Sequence, residues 1–314
     1  MKHIKFGTSG HRGIIGKSFT NDHLIAIVHA ISNYLTHHNT TKPRILIGYD
    51  TRTGNSPLLE QNSYTYTLVQ ELMSQKIMVD FCDTYTPTPI ISWAIKHYKY
   101  DLGIILTASH NPPNYNGIKI NDSTGAPAAS EVTQWIETAA NQIFSTLDPT
   151  PPVASTSSIP HVNYIQPFID HLHQLLKQTF QLSFPDFSSH YVIDPKCGSA
   201  IDVWKSITAS CVGTIDWKND NFSSDFNFEI PDPTSKESIL ALSRHCKENS
   251  CIGFSNDPDA DRHMIIDEHG NFISPEKVAA IIIDYCMSEE ITIDSISTTL
   301  ANSMLIKSIC DHYN

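Results

Sequence analysis

Three short polar clusters in this chain hold residue types that do chemistry together. The first is Ser109-His110-Asn111-Pro112-Pro113, which follows the apolar run Leu102-Gly103-Ile104-Ile105-Leu106. That run has the length and flanks of a buried strand. The Ser109 hydroxyl is therefore expected where a strand runs out into a proline-stiffened loop, a place where reactive groups gather in α/β proteins. Lys119, ten residues on, brings a positive charge back toward it. The second cluster is Asn256-Asp257-Pro258-Asp259-Ala260-Asp261-Arg262-His263, directly after the apolar stretch Cys251-Ile252-Gly253-Phe254. Three carboxylates at alternate positions point to one side of an extended loop and offer the hard oxygen ligands that Mg²⁺ or Ca²⁺ takes. The third is Phe6-Gly7-Thr8-Ser9-Gly10-His11-Arg12-Gly13. Its glycines let the backbone approach an anion, and Arg12 offers a planar fork for phosphate oxygens.

Spacing removes two simpler readings. An EF-hand loop starting at Asp257 would reach Glu268 at its twelfth position, but its sixth position must be Gly and is Arg262. A nucleotide-binding P-loop ending at Gly16-Lys17-Ser18 needs Gly five residues earlier, where His11 stands. A phosphatase with Asp257 as nucleophile would want Thr or Val near position 261, which is Asp; that reading stays open. Alone, Ser109 would be an ordinary cap and the glycines an ordinary turn. Together, a hydroxyl, a carboxylate metal site and a cationic glycine loop suit phosphoryl transfer, with the serine as covalent carrier.

Bulk properties narrow the partners. The chain has 314 residues, 40% hydrophobic and 17% charged, with a formal charge of −12. That charge disfavours nucleic acid and anionic membranes as partners, and no apolar run approaches the ~20 residues of a membrane span. Seven cysteines with no C-x-x-C pair argue against a disulfide framework and a zinc cluster, so a cytoplasmic home is expected.

The elements that must position these clusters alternate. Helices are expected from Thr20 or Asn21 to His38, from Ser56 to Ser74, from Thr86-Pro87-Thr88-Pro89 onward, and from about Tyr164 to Phe180. Strands are expected over Arg44–Tyr49 and Lys76–Cys82 as well as before Ser109. After a Pro/Ser-rich linker at 148–160 the pattern resumes: strands at 190–194, 211–215, 251–255 and 263–267, helices at 199–209, 234–248 and 275–288. The expected fold class is α/β, two successive three-layer domains with mixed or parallel sheets, at 1–150 and 161–293. A final strand (Ser295–Leu300) and helix (Asn302–His312) make an incomplete third domain at 294–314.

These motifs resemble the phosphohexomutase superfamily, and most closely its bacterial glucose-specific phosphoglucomutases. Ile4–Gly13, Thr86–Pro89, Ser109–Pro113, Gln166-Pro167-Phe168, Asp194–Ser199 and Asn256–His263 carry the resemblance in order. It implies an isomerase of carbohydrate metabolism that interconverts glucose 1-phosphate and glucose 6-phosphate through a phosphorylated Ser109 and a bound glucose 1,6-bisphosphate. By the same resemblance Mg²⁺ is held by the Ser109 phosphate, Asp257, Asp259 and Asp261. Lys119 is the general acid/base with His110 as second choice, and Arg12 and Arg262 steady phosphoryl oxygens. To serve as a base, Lys119 needs its pKa lowered. Family members have four domains. The sugar-reading loop and the domain that binds the distal phosphate are expected to be missing, leaving little activity in this chain alone. A non-catalytic remnant or the subunit of a split enzyme is the competing reading. The unfinished third domain is expected to leave Ile296, Leu300, Leu305, Ile306 and Ile309 open to self-association.

Overall fold

The computed structural model describes residues 3–7, 10–147, 158–180, 182, 188–293, 295–298 and 304–313. The first unit runs β1 (Phe6–Gly7), β2 (Gly10–Ile14), α1 (Asn21–His37), β3 (Arg44–Tyr49), α2 (Tyr64–Ser74), β4 (Met78–Cys82), α3 (Thr88–Tyr98), β5 (Leu102–Leu106), β6 (Tyr115–Asp122) and α4 (Ser130–Thr146). Next come β7 (His161–Val162) and α5 (Ile165–Thr179). The second unit is β8 (His190–Asp194), α6 (Ile201–Ile207), β9 (Thr214–Trp217), α7 (Lys236–Asn249), β10 (Ile252–Asn256), β11 (His263–Ile266), β12 (Phe272–Ile273) and α8 (Pro275–Ser288), followed by α9 (Met304–Tyr313).

Side-chain hydroxyls cap four of the helices. The hydroxyl oxygens of Thr20, Ser63, Ser235 and Ser274 each accept a backbone N–H at the first turn of α1, α2, α7 and α8, filling donors that the helix itself leaves unused. The first sheet has the order β1-β2-β6-β5-β3-β4-β7. Its centre is parallel (β5, β3, β4), and all-apolar β5 is buried along its whole length. β6 returns antiparallel beside β5, and β2 antiparallel beside β6. The close β2–β6 approach depends on Gly10, at φ +94°, where an added Cβ would lie 2.1 Å from the Ile118 carbonyl oxygen. α1 packs with α2 and α4, while α3 packs on β3, β5 and α5, giving the helical layers on the sheet. The second sheet, β12-β11-β10-β8-β9, has parallel β10, β8 and β9 with an antiparallel β11–β12 edge.

Several expectations shift. Within the mixed architecture expected, β2 and β6 are additional strands that run antiparallel in the first sheet, while β11 and β12 supply the antiparallel part of the second. The helix expected from Ser56 begins at Tyr64, since Ser63 caps it and Leu59 and Asn62 take positive φ in the turns before it. The strand expected at 211–215 lies at Thr214–Trp217. The boundary expected at 161 falls inside the first unit's packing, because β7 pairs with β4 and Tyr164, Ile165 and Ile169 join the first core. A two-residue strand leaves no periodicity to read. Most of the 148–160 linker, Thr8 and Ser9, and Thr299 to Ser303 lie outside the described residues. Over 295–298 there is no strand. Ile306, expected to be open, is buried because α9 folds back on α8, whereas Leu305 is exposed. Among the described residues, no helix is long and apolar enough to cross a membrane.

His11, on β2, is a buried neutral group rather than part of a cationic loop. Its ring stacks on His23 at 5.8 Å, and burial lowers its pKa from 6.5 against weaker opposing effects of the Lys5 and Ser18 backbone and Glu137. The unfolded chain therefore takes up this proton more readily than the native one. The stability involved is complete above pH ~6.5 and is lost as pH falls through the lower native pKa. Urea midpoints at pH 7.5 and pH 5 should show this decline, and His11→Gln should make it shallower; an unchanged slope in the variant would refute the assignment.

Candidate active site

The Ser109 loop is shaped from inside by an arginine. Arg52 is fully buried, just beyond the end of β3. Its Nε donates to Asp50 Oδ2 at 3.1 Å, Nη1 to the carbonyls of Pro112 and Tyr115 at 3.0 Å, and Nη2 to the carbonyls of Asn111 at 2.8 Å and of Ser109. All five donors of a guanidinium are used. Asp50 in turn accepts from Thr107 Oγ1 at 2.6 Å and Asn55 Nδ2 at 3.1 Å, and Thr107 Oγ1 accepts the Ser109 N–H at 2.8 Å. Burial raises the Asp50 pKa, and Arg52 and Thr107 oppose the rise.

Held this way, Ser109 takes φ +53° and points across the gap between the units. Its Oγ donates to Asp257 Oδ2 at 2.7 Å, and His110 Nδ1 lies 3.4 Å from Ser109 Oγ. Lys119, on β6, donates to Asp259 Oδ2 at 2.5 Å and Asp261 Oδ2 at 2.6 Å. Thr88, at the start of α3, donates its hydroxyl to Asp259 Oδ2 at 2.7 Å and its N–H to the Asp259 carbonyl at 2.8 Å. The Arg262 guanidinium reaches 4.0 Å from Asp257 and 3.9 Å from Asp261. Arg12 holds Asn111 Oδ1 at 3.1 Å. The structure thus gathers Ser109, His110, Lys119, Asp257, Asp259, Asp261, Arg12 and Arg262 in one place. A cleft of about 460 Å³ opens beside them, lined among others by Thr88, Ser92, Lys119, Asn121, Ser130 and Asp261.

The carboxylate loop is braced from the second unit. Gly198 lies so close that an added Cβ would sit 2.5 Å from Pro258 Cα, and Ser199 donates both N–H and hydroxyl to the Pro258 carbonyl. Trp204 Nε1 donates to Asn256 Oδ1 at 2.8 Å, and Asn256 Nδ2 donates to the Arg262 carbonyl at 3.0 Å.

The charges divide the three carboxyls. Burial, then the neighbouring Asp259 and Asp261, push Asp257 well above the usual carboxylate range, so it favours its proton. Asp259 is as buried, and desolvation is the largest single effect on it, yet the charge and hydrogen bond of Lys119 together with the hydrogen bonds of Thr88 and Asp257 hold it below that range. Lys119 correspondingly rises above 10.5: burial alone would lower it, but two carboxylates prevail. A base at Lys119 needs a lowered pKa, and in this arrangement the shift runs the other way. His110 is lowered by burial and by Arg262, Arg12 and Arg52, which favours the neutral imidazole. Oxygens of Asp257, Asp259 and Asp261 all lie within 4.8 Å of one another, and Asp259 Oδ1 is buried without a hydrogen-bond partner. That set fits a small hard cation.

Residue reading missed Asp50, Arg52 and Thr88 as parts of the site. An Asp-x-Arg placed directly after the β3 strand was the available signal, but only the fold shows that its arginine turns inward.

Two α/β/α units facing each other across a serine and three carboxylates define a class of protein, and the comparisons agree with it. The family model described as phosphoglucomutase/phosphomannomutase, alpha/beta/alpha domain I, matches residues 3–146, and its domain II counterpart matches residues 166–270. The chain is 30% identical over 302 residues to a phosphoglucomutase of Komagataeibacter xylinus, covering 90% of this chain and 53% of that protein. It is 27% identical over 309 residues to a phosphoglucomutase/phosphomannomutase of Thermococcus kodakarensis, covering 97% and 64%. The open-form crystal structure of the Paramecium phosphoprotein parafusin, a phosphoglucomutase, shares the fold with a TM-score of 0.77 at 23% identity, over 99% of this chain and 62% of that one. The chain belongs to the phosphohexomutase superfamily, a family of phosphohexose mutases. It spans a little over half the length of the relatives it matches.

Arg52→Met leaves Asp50 buried without its counter-charge and frees the loop carbonyls. The expected loss is about 3–5 kcal/mol in urea unfolding. Adding Asp50→Asn should restore part of it. A single variant within ~1 kcal/mol of the parent would show that the clamp is dispensable.

Proposed function

We propose that this chain carries the phosphoryl-transfer end of a mutase interconverting glucose 1-phosphate and glucose 6-phosphate, with Ser109 as the phosphoryl carrier. The observation that supports it most is the buried Ser109 hydroxyl, 2.7 Å from one carboxyl of a three-carboxylate loop contributed by the other unit. In the proposed cycle the O–P bond of phosphorylated Ser109 breaks as the 6-hydroxyl of glucose 1-phosphate forms a new one and gives up its proton. The product is glucose 1,6-bisphosphate. After the bisphosphate turns over, the Ser109 hydroxyl accepts the phosphoryl from the 1-position, leaving glucose 6-phosphate. Glucose is favoured by the phosphoglucomutase name of the Komagataeibacter xylinus relative. Mannose 1-phosphate is the comparison substrate, because the Thermococcus kodakarensis relative carries both names.

Asp257, Asp259 and Asp261 would hold Mg²⁺, their hard oxygens and the unpartnered Asp259 Oδ1 being the fit. When bound, it supplies positive charge against the phosphoryl oxygens. Arg12 and Arg262 flank the same space and orient the transferring group. His110, neutral and 3.4 Å from Ser109 Oγ, suits proton acceptance. Lys119, charged between Asp259 and Asp261, suits proton donation to the leaving oxygen. It also competes for the cation's ligands.

Two outcomes follow from this reading. Incubation with glucose 1,6-bisphosphate and Mg²⁺ should add about 80 Da to the chain by intact mass spectrometry, and Ser109→Ala should abolish the gain; an unmodified parent chain would sink the proposal. Lys119→Met should tighten Mn²⁺ binding, measured calorimetrically, by roughly tenfold, because a competing cation is removed from the carboxylates.

A further inference from the structure

We propose that His190, Asp216, Cys251 and His245 form a second metal site, of the Zn²⁺ class, on the face of the second unit away from the Asp257 loop. His190 opens β8, Asp216 lies in β9, and Cys251 immediately precedes β10. β8 is flanked by β9 and β10, and Ile252 pairs with Tyr191, so Cys251 falls beside His190. One ligand atom from each of His190, Asp216 and Cys251 lies within 4.8 Å of the others. His190 Nε2 is 3.1 Å and His245 Nε2, from α7, is 2.8 Å from the same oxygen, Asp216 Oδ2. A tetrahedral site with bonds of about 2.0–2.3 Å has ligand-to-ligand edges near 3.3–3.8 Å, so small side-chain movements would close the His190, Asp216 and Cys251 set, which His245 joins through the Asp216 oxygen it shares with His190.

The chemistry separates this set from the first. Two imidazoles, a thiolate and a carboxylate favour zinc, cobalt and their neighbours, whereas three carboxylates favour magnesium. Cys251 is 1% exposed and makes the floor, while the imidazoles and Asp216 are a quarter to a third exposed and leave an entry path. β10 separates Cys251 from Asp257 by about 20 Å, so neither set shares ligands with the other. The site would also serve the fold. Among the described residues the buried cluster here is Val192, Leu242, Cys246, Cys251, Met264 and Ile266, with Ile239 and Phe272 packed against it, and a metal joining β8, β9, α7 and the start of β10 would staple that cluster.

Titration of the full chain with Co²⁺ tests this without reference to catalysis. The expected result is one tight equivalent with an intense thiolate-to-cobalt band in the near ultraviolet, bleached by Zn²⁺. Cys251→Ser should remove the band. His190→Gln, at a partly exposed position that leaves the core intact, should weaken binding at least tenfold, and Asp257→Asn should leave it unchanged. Zn²⁺ at a hundredfold excess over its dissociation constant should raise the unfolding midpoint by about 5 °C or more. A chain that shows no thiolate band, or a band that survives both Cys251→Ser and His190→Gln, would overturn the assignment and leave a hydrogen-bonded His-Asp-His cluster in its place.

Discussion

Everything at the Ser109 end rests on one buried ion pair. Asp50 and Arg52 sit at the end of a central strand with no exposure to water. The guanidinium has only one carboxylate partner; its remaining donors go to four backbone carbonyls of the loop that carries Ser109. A buried charge pair of this kind is a poor source of net stability but a strong determinant of shape. It defines where residues 109–115 run before any substrate arrives. Because it reads main-chain oxygens, it tolerates different side chains along that loop. The Arg52 plane also lies 4.9 Å over the Phe226 ring, which carries the same constraint into the second unit.

Across the gap the charges balance within a few ångströms. A chain of formal charge −12 has few cations to place, yet Arg12, Arg52, Lys119 and Arg262 converge where three aspartates meet. One aspartate is driven toward its neutral form by burial and then by its neighbours, another is held below the usual range with an ammonium at 2.5 Å, and the third is partly solvated. The set is therefore poised: adding a cation, or a phosphoryl group, changes which partner each carboxylate has. No single loop holds such an arrangement. It exists because strand ends of two separate sheets face one another.

Much of this was legible before the fold was known. Apolar stretches marked β3, β5, β8, β10 and β11, and Thr20 or Asn21 marked the start of α1, because burial and capping leave local signatures. Ser109, Lys119 and the three aspartates were legible because their types and spacing are unusual at strand ends. β2 and β6 were not, since their glycines and polar residues are satisfied only by cross-strand neighbours far away in sequence. β7 is too short to carry a period. The direction of the Lys119 shift was also beyond sequence, as it depends on two carboxylates more than 130 positions later. Arg52 looked like any arginine in a turn, and only the closed fold removes it from water.

The backbone of Ser109 has a further consequence. At φ +53° an L-residue is under strain that glycine would not feel, on the order of 1 kcal/mol. Glycine at this position would make a more comfortable loop with nothing to phosphorylate. Under the proposed role, stability and chemistry therefore pull position 109 in opposite directions. In any lineage where the phosphoryl-carrying role lapsed, drift would have a downhill path from serine to glycine. A hydroxyl at this left-handed position is the cost that the proposed phosphoryl-carrying role would impose on the loop.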